Sequence, residues 1–167
     1  MGFETNIVAP SEIEPKKPTL DDGHMLRSQM LDAFARLEKT IADKACEAGV
    51  KPSRCTSMSD YLQHLAKAEF KNMSKAKQRI EAAQKIVFCR NDVVHSELGL
   101  IECSGTMSGS FYIFQNVGME PEAGSCLRLI EAEEFAALPG RIRKIANEIK
   151  QQPLKATAPA SPVSASD

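Results

Sequence analysis

The hexapeptide Arg90-Asn91-Asp92-Val93-Val94-His95 concentrates chemistry that the rest of the chain does not. Arg90 brings a permanent positive charge and a planar set of donors that match a phosphate. His95 brings an imidazole able to gain and lose a proton near neutral pH. Asn91 brings an amide that can orient the imidazole or donate to a phosphate oxygen. Together these side chains suffice for metal-free cleavage of RNA by its own 2′-hydroxyl: a base takes the hydroxyl proton while a cation stabilises the crowded phosphate. The same three residue types also suit the last turn of any helix, where they bind free carbonyls and complement the helix dipole.

The elements that position this segment are read from apolar spacing. A first helix is expected from about Asp22 to Ala48, opened by a Thr19/Asp22 capping box. Leu26, Met30, Ala33, Leu37, Ile41 and Ala45 line one face of it. Gly49 follows its end and Pro52 lies just beyond. A short second helix covers Met58 to Phe70, with Ser57 and Asp60 as a second capping box. The third begins after Ser74 and reaches about Ser96, with Ala76, Ile80, Ala83, Val87 and Val94 inward and Gly99 closing it, so Arg90–His95 falls in its last turns. Leu100–Cys103, Phe111–Gln115 and Leu127–Ile130 are short apolar stretches separated by Gly/Ser/Pro-containing loops and read as two or three short strands. A last helix runs from about Glu131 to Gln151, acidic in its first turn and striped by Phe135, Leu138, Ile142, Ile145 and Ile149, with Pro139-Gly140 expected to kink or break it. The chain therefore reads as mainly α. A flexible arm is expected over residues 1–20, a single domain over 21–151 with a β insertion at about 100–130, and a disordered Pro/Ala/Ser-rich tail over 152–167.

Arg90-Asn91 followed by His95 at the end of a long helix resembles the R-x(4–6)-H signature of the HEPN superfamily (higher eukaryotes and prokaryotes nucleotide-binding domains), in which the residue after Arg is usually polar and often Asn. The layout of residues 22–150 is similar to that family's bundle of four or five helices, while the β segment is an elaboration on it. The resemblance implies a metal-independent endoribonuclease of the toxin–antitoxin, anti-phage or stress-response kind. It also implies a homodimer in which two such segments face each other. On that pattern Arg90 stabilises the phosphate, His95 is the acid/base and Asn91 positions both. It equally implies a second possibility, since other members are non-catalytic modules that dimerise or engage a protein partner or a nucleotide. An antitoxin or regulatory protein is the expected partner of the catalytic kind. A small helical regulatory protein, with 90–95 as a helix end only, is the reading without the family.

Local charge accompanies the motif. From Lys67 to Arg90 there are seven basic residues against only Glu69 and Glu81, in a chain whose net charge is −1. Lys75, Lys77, Arg79 and Lys85 are accordingly the candidate RNA contacts, although a solvated helix face has the same composition. His64 on the second helix is a weaker candidate for a second acid/base, and His24 gives no signal. Cys103 and Cys126 have no further ligand at zinc spacing, no phosphate-loop, dinucleotide or metallohydrolase motif occurs, and neither a metal nor a cofactor is expected. The five cysteines form no CxxC pair and fit a reduced, cytoplasmic setting. Residues 1–6 have no basic or apolar leader pattern, and no apolar run approaches a membrane span, so no membrane partner is expected.

Overall fold

The computed structural model describes residues 17–51, 57–106, 108–116 and 127–155. Among them the order is α1 (Leu20–Glu47), α2 (Met58–Ala66), α3 (Met73–His95), β1 (Ser96–Cys103), β2 (Gly109–Asn116), β3 (Leu127–Glu131) and α4 (Ala132–Lys150). The protein is mostly helical, with a small antiparallel sheet before the last helix.

Both predicted capping boxes form. Thr19 Oγ1 accepts from the Asp22 amide at 3.1 Å and Asp22 returns a carboxylate to the Thr19 amide at 3.0 Å; Ser57 and Asp60 repeat the exchange on α2. Each satisfies two amides that the first helical turn leaves free. α1 ends in a Schellman motif: the Val50 amide reaches the Ala45 carbonyl (3.0 Å), the Gly49 amide reaches Cys46 (2.9 Å), and Gly49 takes a positive φ of 83°.

Several boundaries differ from the sequence expectation. α2 stops at Ala66 because the following segment turns outward to pair. Phe70 bridges Leu154, the Lys71 amide donates to Pro153 (2.9 Å) and the Lys155 amide to Glu69 (3.0 Å). Residues 153–155, assigned to the disordered tail, are thus tied to the domain, and Leu20, assigned to the arm, is the first residue of α1. α3 starts from Asn72, whose side chain caps the Lys75 amide, not after Ser74. Nor does Gly99 close it. The helix passes into β1 at Ser96 with no loop, because Ser96 to Cys103 are paired along their whole length with Asn116 to Gly109. Pro139 lies inside an unbroken α4. Its missing N–H costs one helical bond, but the apolar stripe continues across it from Phe135 and Leu138 to Ile142, Ala146 and Ile149, all buried. Residues 1–16, 117–126 and 156–167 lie outside the described residues, including most of the expected arm and tail.

The sheet order is β1-β2-β3. Opposed residues share a face, so Leu98, Leu100, Tyr112, Phe114 and Ile130 face the helices. At their centre the Phe135 ring packs against Tyr112 and Phe114, each at 5.2 Å between centroids. The opposite face carries Ile101, Phe111, Ile113, Leu127 and Leu129; Leu127 is 56% and Leu129 42% exposed.

Helix directions follow from end-to-end contacts. The starts of α1 and α4 both meet Tyr112, which donates its hydroxyl to the Thr19 carbonyl (2.9 Å) and packs its ring at a tilt against Phe135. Their ends meet at Lys44, whose Nζ lies 3.5 Å from the Lys150 carbonyl. α1 and α4 therefore run parallel. α3 runs the other way: Arg79 near its start pairs with Glu148 near the end of α4, and Val94 near its end meets Arg27 near the start of α1.

Candidate functional site

The end of α3 is held from outside. Arg27, on the second turn of α1, donates from Nη2 to the Val94 carbonyl at 2.8 Å. The last carbonyls of a helix have no partner within it, and a cation there also complements the dipole. Val93 is fully buried and Ser96 nearly so, so this turn is clamped on its inner side while His95 stays exposed at the junction with β1. Arg90 is half-buried. Among the described residues, no side-chain hydrogen bond or ion pair engages either Arg90 or His95. The side chain of Asn91 lies outside the described residues, but its backbone belongs to α3.

Helix geometry sorts the three. Asn91 and His95, four residues apart, are about 40° apart around the axis and about 6 Å apart along it. Arg90 and His95 are about 140° apart and about 7.5 Å apart along the axis. One chain thus sets Asn91 and His95 on a common side and sends Arg90 off to another.

The basic residues divide in the same way. Lys77 and Lys85 lie on one side of α3 with Glu81 between them, four residues from each, and Lys77 Nζ is 4.0 Å from the Glu81 carboxylate. Lys75 and Arg79 lie on the side nearer α4, where the Arg79 Nε pairs with Glu148 at 3.0 Å. Lys75, Lys77 and Lys85 are exposed; the guanidinium of Arg79 is already engaged in holding α3 to α4. The four do not make one continuous stripe.

His64 does not join the site. It sits in the last turn of α2, beside Leu65, which lines one cavity with Ala76 and Ile80 in the first half of α3. His95 lies at the opposite end of that helix, roughly 20 Å or more away at 1.5 Å per residue. Cys126 lies outside the described residues, and among those described no cluster of three metal-ligating side chains occurs. No described helix is long and apolar enough to cross a membrane.

Sequence reasoning missed Arg27. Its only signal is its place beside the apolar stripe, three residues before Met30. No protein-family model matches the chain, and no curated protein and no solved structure is significantly similar to it.

Proposed function

We propose that this protein is a HEPN-like, metal-independent endoribonuclease of the toxin, defence or stress-effector kind, acting from the C-terminal end of α3. The observation that supports this most is the exposed His95 as the last residue of a long helix whose final turn is pinned by Arg27 and Val93. A base held on a rigid element, with an exposed imidazole that no described side chain engages, is what proton transfer from a 2′-hydroxyl requires. In this reading His95 takes the proton, Asn91 orients it from the same side of the helix, and Arg90 stabilises the phosphate as negative charge builds on it. Since Arg90 and His95 leave one helix in different directions, the complete set is built from two copies, each supplying groups to the other. Lys75, Lys77 and Lys85 approach the RNA backbone as exposed cations.

The sheet face on which Leu127 and Leu129 are exposed beside half-buried Ile101, Phe111 and Ile113 favours a second reading, a non-catalytic module that engages a protein partner, because exposed apolar side chains grouped on one face mark contact surfaces.

The deciding experiment is incubation of a mixed RNA pool with the purified protein in EDTA, beside His95→Ala and Arg90→Ala. Cleavage leaving cyclic phosphate ends, lost in both variants, supports the ribonuclease. Intact RNA after exposure to a folded dimer moves the assignment to the partner-binding module.

A further inference from the structure

A second charged feature lies away from the end of α3. The parallel helices α1 and α4 leave a cleft of about 390 Å³ between them, and five basic side chains line it: Arg36, Lys39, Lys44, Arg143 and Lys150. Only two carboxylates, Asp43 and Glu47, share it. Each is already engaged, Asp43 by Lys39 at 3.1 Å and Glu47 by Lys44 at 2.7 Å. Lys44 forms the floor with only 7% of its surface exposed. Among the described residues, Arg36, Arg143 and Lys150 make no ion pair.

Part of this charge has a local explanation. The carbonyl ends of both helices gather here, and Lys44 and Lys150 complement them. That influence fades within the last turn. Arg143 stands about 10 Å from the end of α4 and Arg36 about 16 Å from the end of α1, at 1.5 Å per residue. The two guanidiniums thus line a shared cleft away from the helix ends and, among the described residues, without an ion-pair partner, in a protein whose net charge is −1. Guanidinium groups bind phosphate oxygens in bidentate fashion. Thr40 and Asn147, also in the lining, add a hydroxyl and an amide. The lining has no aromatic side chain to stack on a base, so its chemistry suits the phosphates of a ligand and not a nucleobase.

We propose that the α1/α4 cleft binds a compact phosphate-bearing anion, an oligophosphate or the polyphosphate chain of a nucleotide, gripped by Arg36 and Arg143 over the Lys44 side chain. The site is independent of the reading given to α3.

The test is calorimetric titration of the full chain with inorganic tripolyphosphate, ATP and a short single-stranded RNA, at near-physiological salt. The variants are Arg36→Ala/Arg143→Ala and, as an equal loss of charge outside the cleft, Lys51→Ala/Lys144→Ala. Both pairs are exposed positions, and circular dichroism checks that each folds. The expected result is saturable binding of tripolyphosphate and ATP with similar affinity. The cleft variant should weaken it by about tenfold or more, as loss of charge-assisted hydrogen bonds implies, while the control variant retains it. No binding of tripolyphosphate overturns the proposal, as does binding that survives the cleft substitutions, binding of RNA alone, or binding of ATP without tripolyphosphate.

Discussion

The Arg27 guanidinium donates to the Val94 carbonyl at 2.8 Å across 67 positions of sequence, so the helix turn that presents His95 is fixed by a residue of α1. Replacing Arg27 by Ala leaves a half-buried carbonyl without its charged donor and is expected to cost about 1.5–3 kcal/mol of stability. Hydrogen exchange should accelerate at residues 90–96 before it does elsewhere in α3. If exchange there is unchanged, the bond does not hold the turn.

Gly23 and Tyr112 make a second dependence. A Cβ built on Gly23 would overlap Tyr112 Cε1. In an open helix Gly→Ala stabilises by about 1 kcal/mol. Here the side chain it meets is buried and tied to Thr19, so Gly23→Ala is expected to destabilise by about 1–3 kcal/mol. Chemical denaturation reads the sign, and Gly23→Ala should cost less in a Tyr112→Leu background, where the ring edge is gone, than in the native one.

Tyr112 also sets an alkaline limit. Burial, with a smaller contribution from the Asp22 carboxylate, raises its pKa above the usual 10.0. The folded protein therefore holds this proton more tightly than the unfolded chain does. Its stability is complete below about pH 10 and falls as pH rises toward the elevated value. Tyr112→Phe should be somewhat less stable at neutral pH, by about 1 kcal/mol for the lost bond to Thr19, yet show a shallower decline above pH 10. An identical alkaline slope in both proteins would exclude Tyr112 as the cause.

Arg79 and Lys85 should separate in their effects. Arg79 is paired with Glu148, whereas Lys85 is exposed. Arg79→Ala is expected to lower stability by up to about 1 kcal/mol with little change in RNA affinity. On the proposed ribonuclease reading, Lys85→Ala should leave stability alone and reduce RNA affinity together with its salt dependence. Fluorescence anisotropy at two salt concentrations, beside melting curves, distinguishes them.

The end of the domain is testable by truncation. Ending the chain after Gln152 removes the Leu154 bridge and the two backbone bonds that join 153–155 to Glu69 and Lys71. Relative to a chain ended after Lys155, it is expected to cost about 1–3 kcal/mol at about 0.5–1.5 per bond, read as a lower melting temperature.

Much of this architecture was legible in the sequence because its causes are local. The Thr19/Asp22 and Ser57/Asp60 boxes, Gly49 at the close of α1, and the stripes of α1 and α4 each follow from spacings of three or four residues, over which helix geometry acts. The three strands lie where short apolar runs between Gly, Ser and Pro placed them. What the sequence could not decide was where local preference yields to pairing between distant segments. α3 turns into β1 at Ser96, without a loop at Gly99, because Ser96 to Gly99 pair with Asn116 to Ile113, fourteen to twenty residues further along the chain. Phe70 leaves α2 for Leu154 for the same reason. Arg90, Asn91 and His95 were recognisable as a chemical set from their types alone, and their angular separation follows from helix geometry. The clamp by Arg27, the loss of Arg79 to Glu148, and the parallel course of α1 and α4 that gathers Arg36 and Arg143 around one cleft depend on side chains far apart in sequence. Only the folded chain brings these together, since the energy of each contact exists solely once both helices are packed.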